Sequence, residues 1–256
     1  MLSEEAKRAL EARYYPNLQE EVFGRFEAQF LARLADESCF PITVGRNKTR
    51  PKEGAVVLDA GSGAGSWILR LSRERISLLM GADIYVPDVS RLDAFVLARC
   101  EQLPFAERTF DMVVAYLVFE HLPEPRLAFR EYARVLKPGG YLVFKTPAVH
   151  TPLFLLAKLM PTRLHKRLKA RIGTAEGDVF PTYYRANKLS SLERELSVAG
   201  FQRDWVYTVD QTYAYLSHAR WTYALGLLYS RLTRWLVLGW LRNQIIGIYR
   251  LSGGAQ

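Results

Sequence analysis

Cysteine is almost absent from this 256-residue sequence: Cys39 and Cys100 are the only two. Two cysteines make no disulfide framework, and this pair does not stand at metal-ligand spacing, so no metal site is expected. Long hydrophobic runs are missing too. The longest uncharged stretch of the C-terminal zone, Trp221–Ser230, falls far short of the roughly twenty residues a bilayer-spanning helix needs. The N-terminus, MLSEEAKRALEARYY, is charged throughout and reads as neither a signal nor a transit peptide, which makes a cytoplasmic location the expectation. Internal repeats and low-complexity segments are also lacking. What the chain does have is a hydrophobic content of 49%, a charged content of 24% and a net charge of +9. That composition suffices for a full core in one domain with extensions. The excess of cations predicts attraction to anionic surfaces or ligands without naming them.

Three zones follow from the pattern. Residues 1–54 read as an N-terminal helical segment, with Ala9, Leu10 and Ala12 and then Val22, Phe23, Phe26, Phe30, Leu31 and Leu34 near helical spacing. A polar, basic loop from Gly45 to Gly54 closes it, with Pro51 as a breaker. Residues 55–210 alternate short apolar runs with amphipathic segments, which predicts an α/β core: a Rossmann-like, mostly parallel sheet with helices on both faces. The predicted strands are Val56–Asp59, Leu78–Asp83, Ala94–Ala98, Phe110–Ala115, Tyr141–Lys145 and Trp205–Val209. Within this zone 151–186 reads as a substrate-side insertion. Residues 211–256, rich in Trp, Tyr, Leu and Arg, read as a C-terminal helical extension.

The strongest chemical signal is V-V-L-D-A-G-S-G-A-G-S-W, where a strand ends at Asp59 and Gly61, Gly63 and Gly65 follow at every second position. Glycines allow a sharp turn at the strand end and let a ligand approach the main chain. Dinucleotide-binding loops carry their third glycine three residues after the second and aim a helix N-terminus at a pyrophosphate. Here Ser66 holds that position, and the tighter G-x-G-x-G suits a ligand without phosphates. The next strand ends in Asp83, placed to accept hydrogen bonds from both ribose hydroxyls of an adenosine.

Further along come Glu101-Gln102-Leu103-Pro104-Phe105, Phe110-Asp111-Met112-Val113-Val114, Glu120-His121-Leu122 and Leu136-Lys137-Pro138-Gly139-Gly140-Tyr141-Leu142. In this order the motifs resemble the small-molecule branch of class I S-adenosylmethionine (SAM)-dependent methyltransferases, the group that includes ubiquinone/menaquinone C-methyltransferases. The resemblance covers residues 55–146. It implies SAM as the cofactor, with Asp59, Gly61, Ser62, Gly63 and Gly65 lining its methionine part and Asp83 holding the ribose. It also implies Cys100 and Glu101 beside the adenine and Tyr116 under the sulfonium. Two departures stand out. Arg99 replaces an acid that the family places two residues before the Glu, and arginine cannot accept a hydrogen bond. Only about twenty residues separate Asp83 from Leu103, so the crossover between the second and third strands is expected to be a loop rather than a helix.

Methyl transfer is an in-line displacement at carbon, so the enzyme mainly aligns a nucleophile and excludes water. A hydroxyl acceptor also needs a base. His121, just past the fourth strand, is the candidate catalytic residue, against the alternative that it braces the following helix. His150 follows the fifth strand at the crevice edge, and Tyr183, Tyr184 and Arg185 add an aromatic and cationic cluster; these four are the substrate-contact candidates. Leu153–Arg171 carries six cations and no acid, which points to an anionic partner. Asn187 reads as the cap of a helix over Lys188–Ala199 that stops at Gly200.

In the C-terminal zone Arg220, Arg231 and Arg242 recur every eleven residues, with Arg234 to one side. On one continuous helix they form a basic stripe opposite Leu225, Leu228, Leu232, Leu236 and Trp240, the pattern of a helix lying in a membrane interface. A subdomain docked on the sheet and a homodimer contact are the alternatives. For the whole chain, the expected function is SAM-dependent O-methylation of a small, lipid-like or anionic acceptor, with peripheral contact at the inner membrane face. RNA methylation is the second class. Against it, Ala115-Tyr116-Leu117-Val118 stands where base-amino methyltransferases carry Asn/Asp-Pro-Pro-aromatic, and no RNA-binding module is recognisable. A non-catalytic SAM-binding partner protein is the third.

Overall fold

The computed structural model describes residues 1–34, 54–63, 65–86, 91–149, 151 and 181–253. Helix α1 spans Glu4–Tyr14, opened by Ser3, whose Oγ accepts from the Ala6 amide at 3.2 Å. A π-helical turn over Glu20–Gly24 leads into α2, Arg25–Leu34. Strand β1 (Ala55–Ala60), helix α3 (Trp67–Leu71), β2 (Ile76–Asp83), β3 (Ala94–Leu97) and β4 (Phe110–Tyr116) follow. Then come α4 (Pro125–Val135), β5 (Leu136–Pro147), α5 (Leu189–Val198) and β6 (Phe201–Val209). The chain closes with α6 (Thr212–Tyr215), α7 (Arg220–Leu232) and β7 (Gln244–Leu251).

All six strands expected from the sequence are present, and the seven strands order as β3-β2-β1-β4-β5-β7-β6. The pairs among β1 to β5 are parallel. Strand order reverses between β1 and β4, and an open α/β sheet places its ligand crevice at the carboxyl ends of such neighbours. Residues 84–86 and 91–93, the described part of the connection from β2 to β3, carry no α-helix. The F-D-M motif has a structural task here. Asp111 Oδ2 accepts from the Val56 amide at 2.8 Å and Oδ1 from Lys137 Nζ at 2.6 Å, tying β1 and the start of β5 to β4.

The chain divides into two compact units. One comprises the described parts of Phe26–Thr146, Tyr183–Val206 and Ile246–Gln256. Its core is apolar on β1, β4 and β5 and on α4, where Ala128, Phe129, Tyr132 and Val135 are buried at helical spacing. Phe144 anchors it, with its ring centroid 4.8 Å from Phe119 and 5.7 Å from Tyr249 of β7. Gly247 makes that close approach feasible, since a Cβ there would stand 2.4 Å from Phe144 Cζ. Asn187 does not cap α5 as the sequence suggests. Its Nδ2 instead donates to Thr146 Oγ1 at 2.6 Å, while Lys188 takes the cap position without a side-chain bond. Gly200, at φ +92°, ends this helix as expected.

The other unit comprises the described parts of Met1–Arg25, Pro147–Thr182 and Tyr207–Ile245. Tyr223 of α7 donates to Glu11 of α1 at 2.6 Å. Buried Asp210 accepts from the Thr212 amide and hydroxyl at 3.0 and 2.7 Å and from Ser230 Oγ. The continuous C-terminal helix is corrected here. Helix α7 stops at Leu232, Leu236–Leu241 forms a 3₁₀ helix, and 244–251 is a strand. The basic stripe falls apart with it. Arg231 donates to the Tyr14 carbonyl, Arg234 pairs with Glu21 at 2.6 Å, and Arg242 donates to the carbonyls of Thr208, Thr233 and Arg234.

Insertion of β7 beside β5 depends on the Phe144 contact. Phe144→Ala is therefore expected to lower unfolding free energy by about 3–5 kcal/mol, measured by urea denaturation. A loss below about 1 kcal/mol would show that this packing does not hold the sheet together.

Candidate active site

The turn after β1 doubles back sharply. Gly61 has φ +71°, and a Cβ on it would lie 2.5 Å from Val118 Cγ2, so no larger residue fits. The Gly61 and Ser62 amides both donate to the Ala82 carbonyl, at 2.7 and 3.2 Å, pinning the turn to β2. Two acids hold the rest. Asp59, fully buried, accepts from Ser66 Oγ at 3.0 Å and the Ser66 amide at 3.4 Å. Burial pushes its carboxyl up to about 7, the Ser66 bonds pull it down, and the nearby Asp83 charge adds to the rise. Asp83 accepts from the Gly63 amide at 2.8 Å through Oδ2 and from the Ile84 amide at 2.7 Å through Oδ1. Gly65, at φ +85°, has open space where a Cβ would point.

Strand register sets which side chains share this rim. Val57 pairs with Leu79 and Met112, and Met112 with Tyr141. Counting in twos, Asp59, Val114 and Val143 stand on one sheet face, and one step on Asp83, Tyr116 and Lys145 stand on that same face. Neighbouring strands lie about 4.8 Å apart, so Tyr116 sits about two strand spacings from Asp83 and Lys145 about three. That row is the floor of the candidate site.

Its second end is built around Glu101. Arg134 of α4 donates to the carbonyls of Leu103 at 2.9 Å and Phe105 at 2.7 Å, and Glu131 accepts from the Leu103 amide at 2.8 Å. These bonds fix the Glu101–Phe105 loop. Glu101 Oε1 is buried without a hydrogen-bond partner, and so is Ser62 Oγ. Arg99 lies 3.6 Å from the other Glu101 oxygen. Burial pushes the Cys100 thiol up to about 12, so it remains an inert thiol.

The carboxyl ends of β4 and β5 carry a group the sequence did not single out. Lys145 and Glu120 are both about 95% buried. Lys145 Nζ donates to Tyr116 Oη at 3.0 Å and lies 5.0 Å from the centre of that ring. Burial brings its ammonium down to about 8, offset in part by the Glu120 charge. Burial pushes the Glu120 carboxyl up. Thr146 Oγ1 donates to Glu120 Oε2 at 3.3 Å, and Asn187 in turn donates to Thr146. His121, on the 3₁₀ turn Phe119–His121, is half-buried, and its charge acts on Glu120.

The substrate candidates divide. The Tyr183 and Tyr184 amides donate to the Glu120 carbonyl at 2.7 and 3.2 Å, which brings this segment to the same rim. Tyr184 holds a left-handed φ of +53°. Arg185 pairs with Glu124 at 2.9 Å and lies 5.7 Å from the Tyr183 ring. His150 and the basic Leu153–Arg171 run lie outside the described residues. Among the described residues no group of three His, Cys, Asp or Glu could hold a metal ion.

Residues 58–144 match the family model described as a methyltransferase domain. The chain is 29% identical over 121 residues to a ubiquinone biosynthesis O-methyltransferase of Paracidovorax citrulli, covering 42% of this chain and 50% of that protein. It is 36% identical over 134 residues to a malonyl-[acyl-carrier protein] O-methyltransferase of Herminiimonas arsenicoxydans, covering 50% and 46%. The chain thus spans about half the length of these curated relatives. Among solved structures, the [4+2]-cyclase SpnF superposes with a TM-score of 0.52 at 20% identity, covering 90% of this chain and 82% of that one, a likeness of fold alone. The fold is that of class I methyltransferases, and residues 58–144 are similar to a methyltransferase domain. That similarity implies SAM as the cofactor.

The residues present fit that cofactor. Asp83 would have acceptor capacity left for ribose hydroxyls, and the orphaned Glu101 Oε1 would supply an adenine amino group with the acceptor that Arg99 cannot. The space beside Gly65 admits a chain along the backbone. Asp83→Ala is expected to weaken both SAM and its demethylated product by about 1.5–3 kcal/mol in calorimetry, the scale for charged hydrogen bonds. Unchanged affinity, or binding of NAD in preference to SAM, would remove Asp83 from this role.

Proposed function

We propose that this protein transfers the methyl group of SAM to an oxygen of a small, lipid-like or anionic acceptor. The observation that carries this reading is the row of Asp83, Tyr116 and Lys145 on one face beside the glycine turn, within a domain some of whose matched relatives are named O-methyltransferases. SAM supplies an electrophilic methyl group on a sulfonium. The protein's share is to align the acceptor, exclude water and take one proton. His121 and Lys145 are the candidates for taking it among the described residues. Tyr183, Tyr184 and Arg185, which reach the Glu120 carbonyl or its neighbours, are proposed to face the acceptor, and His150 joins them as a proposal from the sequence.

A surface of the second unit supports a lipid-like acceptor. Trp221, Leu225, Leu228 and Leu232 lie within about 60° of one another around α7, and they are 44–69% exposed. The opposite side of the helix buries Tyr223, Gly226, Leu227 and Ser230. Exposed Trp235 and Trp240 extend the apolar surface. Arg220 and Arg231 flank it at about 100° to one side, and the sequence carries no acid after Asp210. Aromatic and leucine side chains flanked by arginines suit the interface of an anionic bilayer. Among the described residues no helix is long and apolar enough to cross one.

The expected outcome is co-flotation with anionic phospholipid vesicles that weakens, without vanishing, as salt rises, because the apolar part is unscreened. Trp221→Ser with Leu225→Ser should abolish it with the fold intact. Wild-type protein that stays off the vesicles at low salt and sediments as a dimer would give this face to a second copy. For the reaction, incubation with methyl-labelled SAM and hydroxylated aromatic and acyl substrates should give a labelled ether or ester by mass spectrometry. Label recovered only on nitrogen, carbon or RNA would overturn O-methylation.

A further inference from the structure

Lys145 is buried at the end of β5, where its ammonium reaches the Tyr116 hydroxyl. Paired with Tyr116 of β4, it follows the apolar run Leu142-Val143-Phe144 of β5 at the ligand rim. An ammonium there is taken out of water. Among the described residues the groups facing it are Tyr116 from β4 and Glu120 from the turn that follows, with His121 acting on Glu120 in its turn. Tyr116 ends the strand next to the one that feeds the glycine turn, so Lys145 lies one strand beyond the position assigned to the sulfonium. Two cations this close in a shielded site repel strongly.

We propose that Lys145 is the base of the methyl transfer: with SAM in place its Nζ is uncharged, and it takes the proton of the acceptor hydroxyl. This rests on the methyltransferase reading above and deepens it. The acceptor O–H bond breaks with its proton going to Nζ, and the oxygen pair forms the O–C bond. The C–S bond breaks with its electrons kept by sulfur. The rim then holds one positive charge at every stage: on Nζ without ligand, on sulfur with SAM, and on Nζ again after transfer. Tyr116, as acceptor of the Nζ hydrogen bond, keeps the amine in place, and the Glu120 carboxyl lies close enough to balance the ammonium that forms. The proton stays on Nζ as the products leave and passes to water when the next SAM binds.

The linkage has a definite sign. An amine that titrates at about 8 without ligand is fully charged below that value, so SAM must displace its proton, while the neutral thioether product need not. Calorimetry of the full chain at pH 8 in buffers of different ionisation enthalpy counts the protons released on binding. SAM should release about half a proton more than S-adenosylhomocysteine, since a group titrating at about 8 is then half charged. Protons linked to Asp59, Glu120 or the ligand's amino group enter both measurements and cancel in the difference.

Lys145→Met should erase that difference and leave S-adenosylhomocysteine binding in place. Lys145→Arg, which cannot discharge, should lower the SAM to S-adenosylhomocysteine affinity ratio by at least about tenfold and serves if the methionine variant does not fold. Equal proton counts for the two ligands in the wild type, or a wild-type affinity ratio in Lys145→Arg, would overturn the proposal. Failure of the wild type to bind either ligand would instead sink the methyltransferase reading.

Discussion

Asp83 accepts hydrogen bonds from the Gly63 and Ile84 amides, and with that pair of bonds the end of β2 dictates the path of the glycine turn leaving β1. Among the described residues of the turn, the three glycines have no side chains to hold it. Its shape comes from carboxylates below it, Asp83 at one corner and Asp59 gripping Ser66 at the other, and from the Ala82 carbonyl between them. Two acids this near would repel if both were fully charged, and burial resolves the conflict by pushing Asp59 up to about 7. Asp59 is consequently a brace for the loop that also borders the site, while Asp83 keeps acceptor capacity for a ligand. The parallel register of β1, β2, β4 and β5 then carries the geometry sideways to Tyr116 and Lys145.

Much of this was legible because it is local. A strand ending in Asp, three glycines at spacing two and a second strand ending in Asp specify the turn without long-range information. The same holds for Gly200, which ends its helix with the positive φ that glycine permits. Features set by distant partners were not legible. Asn187 stands where a cap belongs, yet Thr146, forty-one residues away in sequence, claims its side chain. Arg220, Arg231, Arg234 and Arg242 make a stripe only on an unbroken helix. Between Leu232 and Arg242 the chain has no proline, and its one glycine, Gly239, comes after the helix has already ended. Tertiary partners such as Glu21 and the Thr208 carbonyl decide where those arginines go. Lys145 looks like an ordinary strand-end lysine until register puts it opposite Tyr116.

Charge and surface point to complementary demands on an acceptor. The rim offers a buried amine, a carboxyl and a phenol, which suits a polar head bearing a hydroxyl. The exposed face of α7 offers tryptophan and leucine, which suits an apolar environment. Both features are proposed for this chain on its own residues. The fold by itself would not separate methyl transfer from other chemistry, as the likeness to a cyclase illustrates.

The central claim is that one row of strand-end side chains, from Asp83 through Tyr116, carries the cofactor. A crystal structure with S-adenosylhomocysteine tests it most directly. The account predicts ribose hydroxyls on the Asp83 carboxylate, the adenine amino group on Glu101 Oε1 and the sulfur against the Tyr116 ring. A ligand bound elsewhere, or bound at this turn with its sulfur on the opposite sheet face from Tyr116 and Lys145, would contradict it.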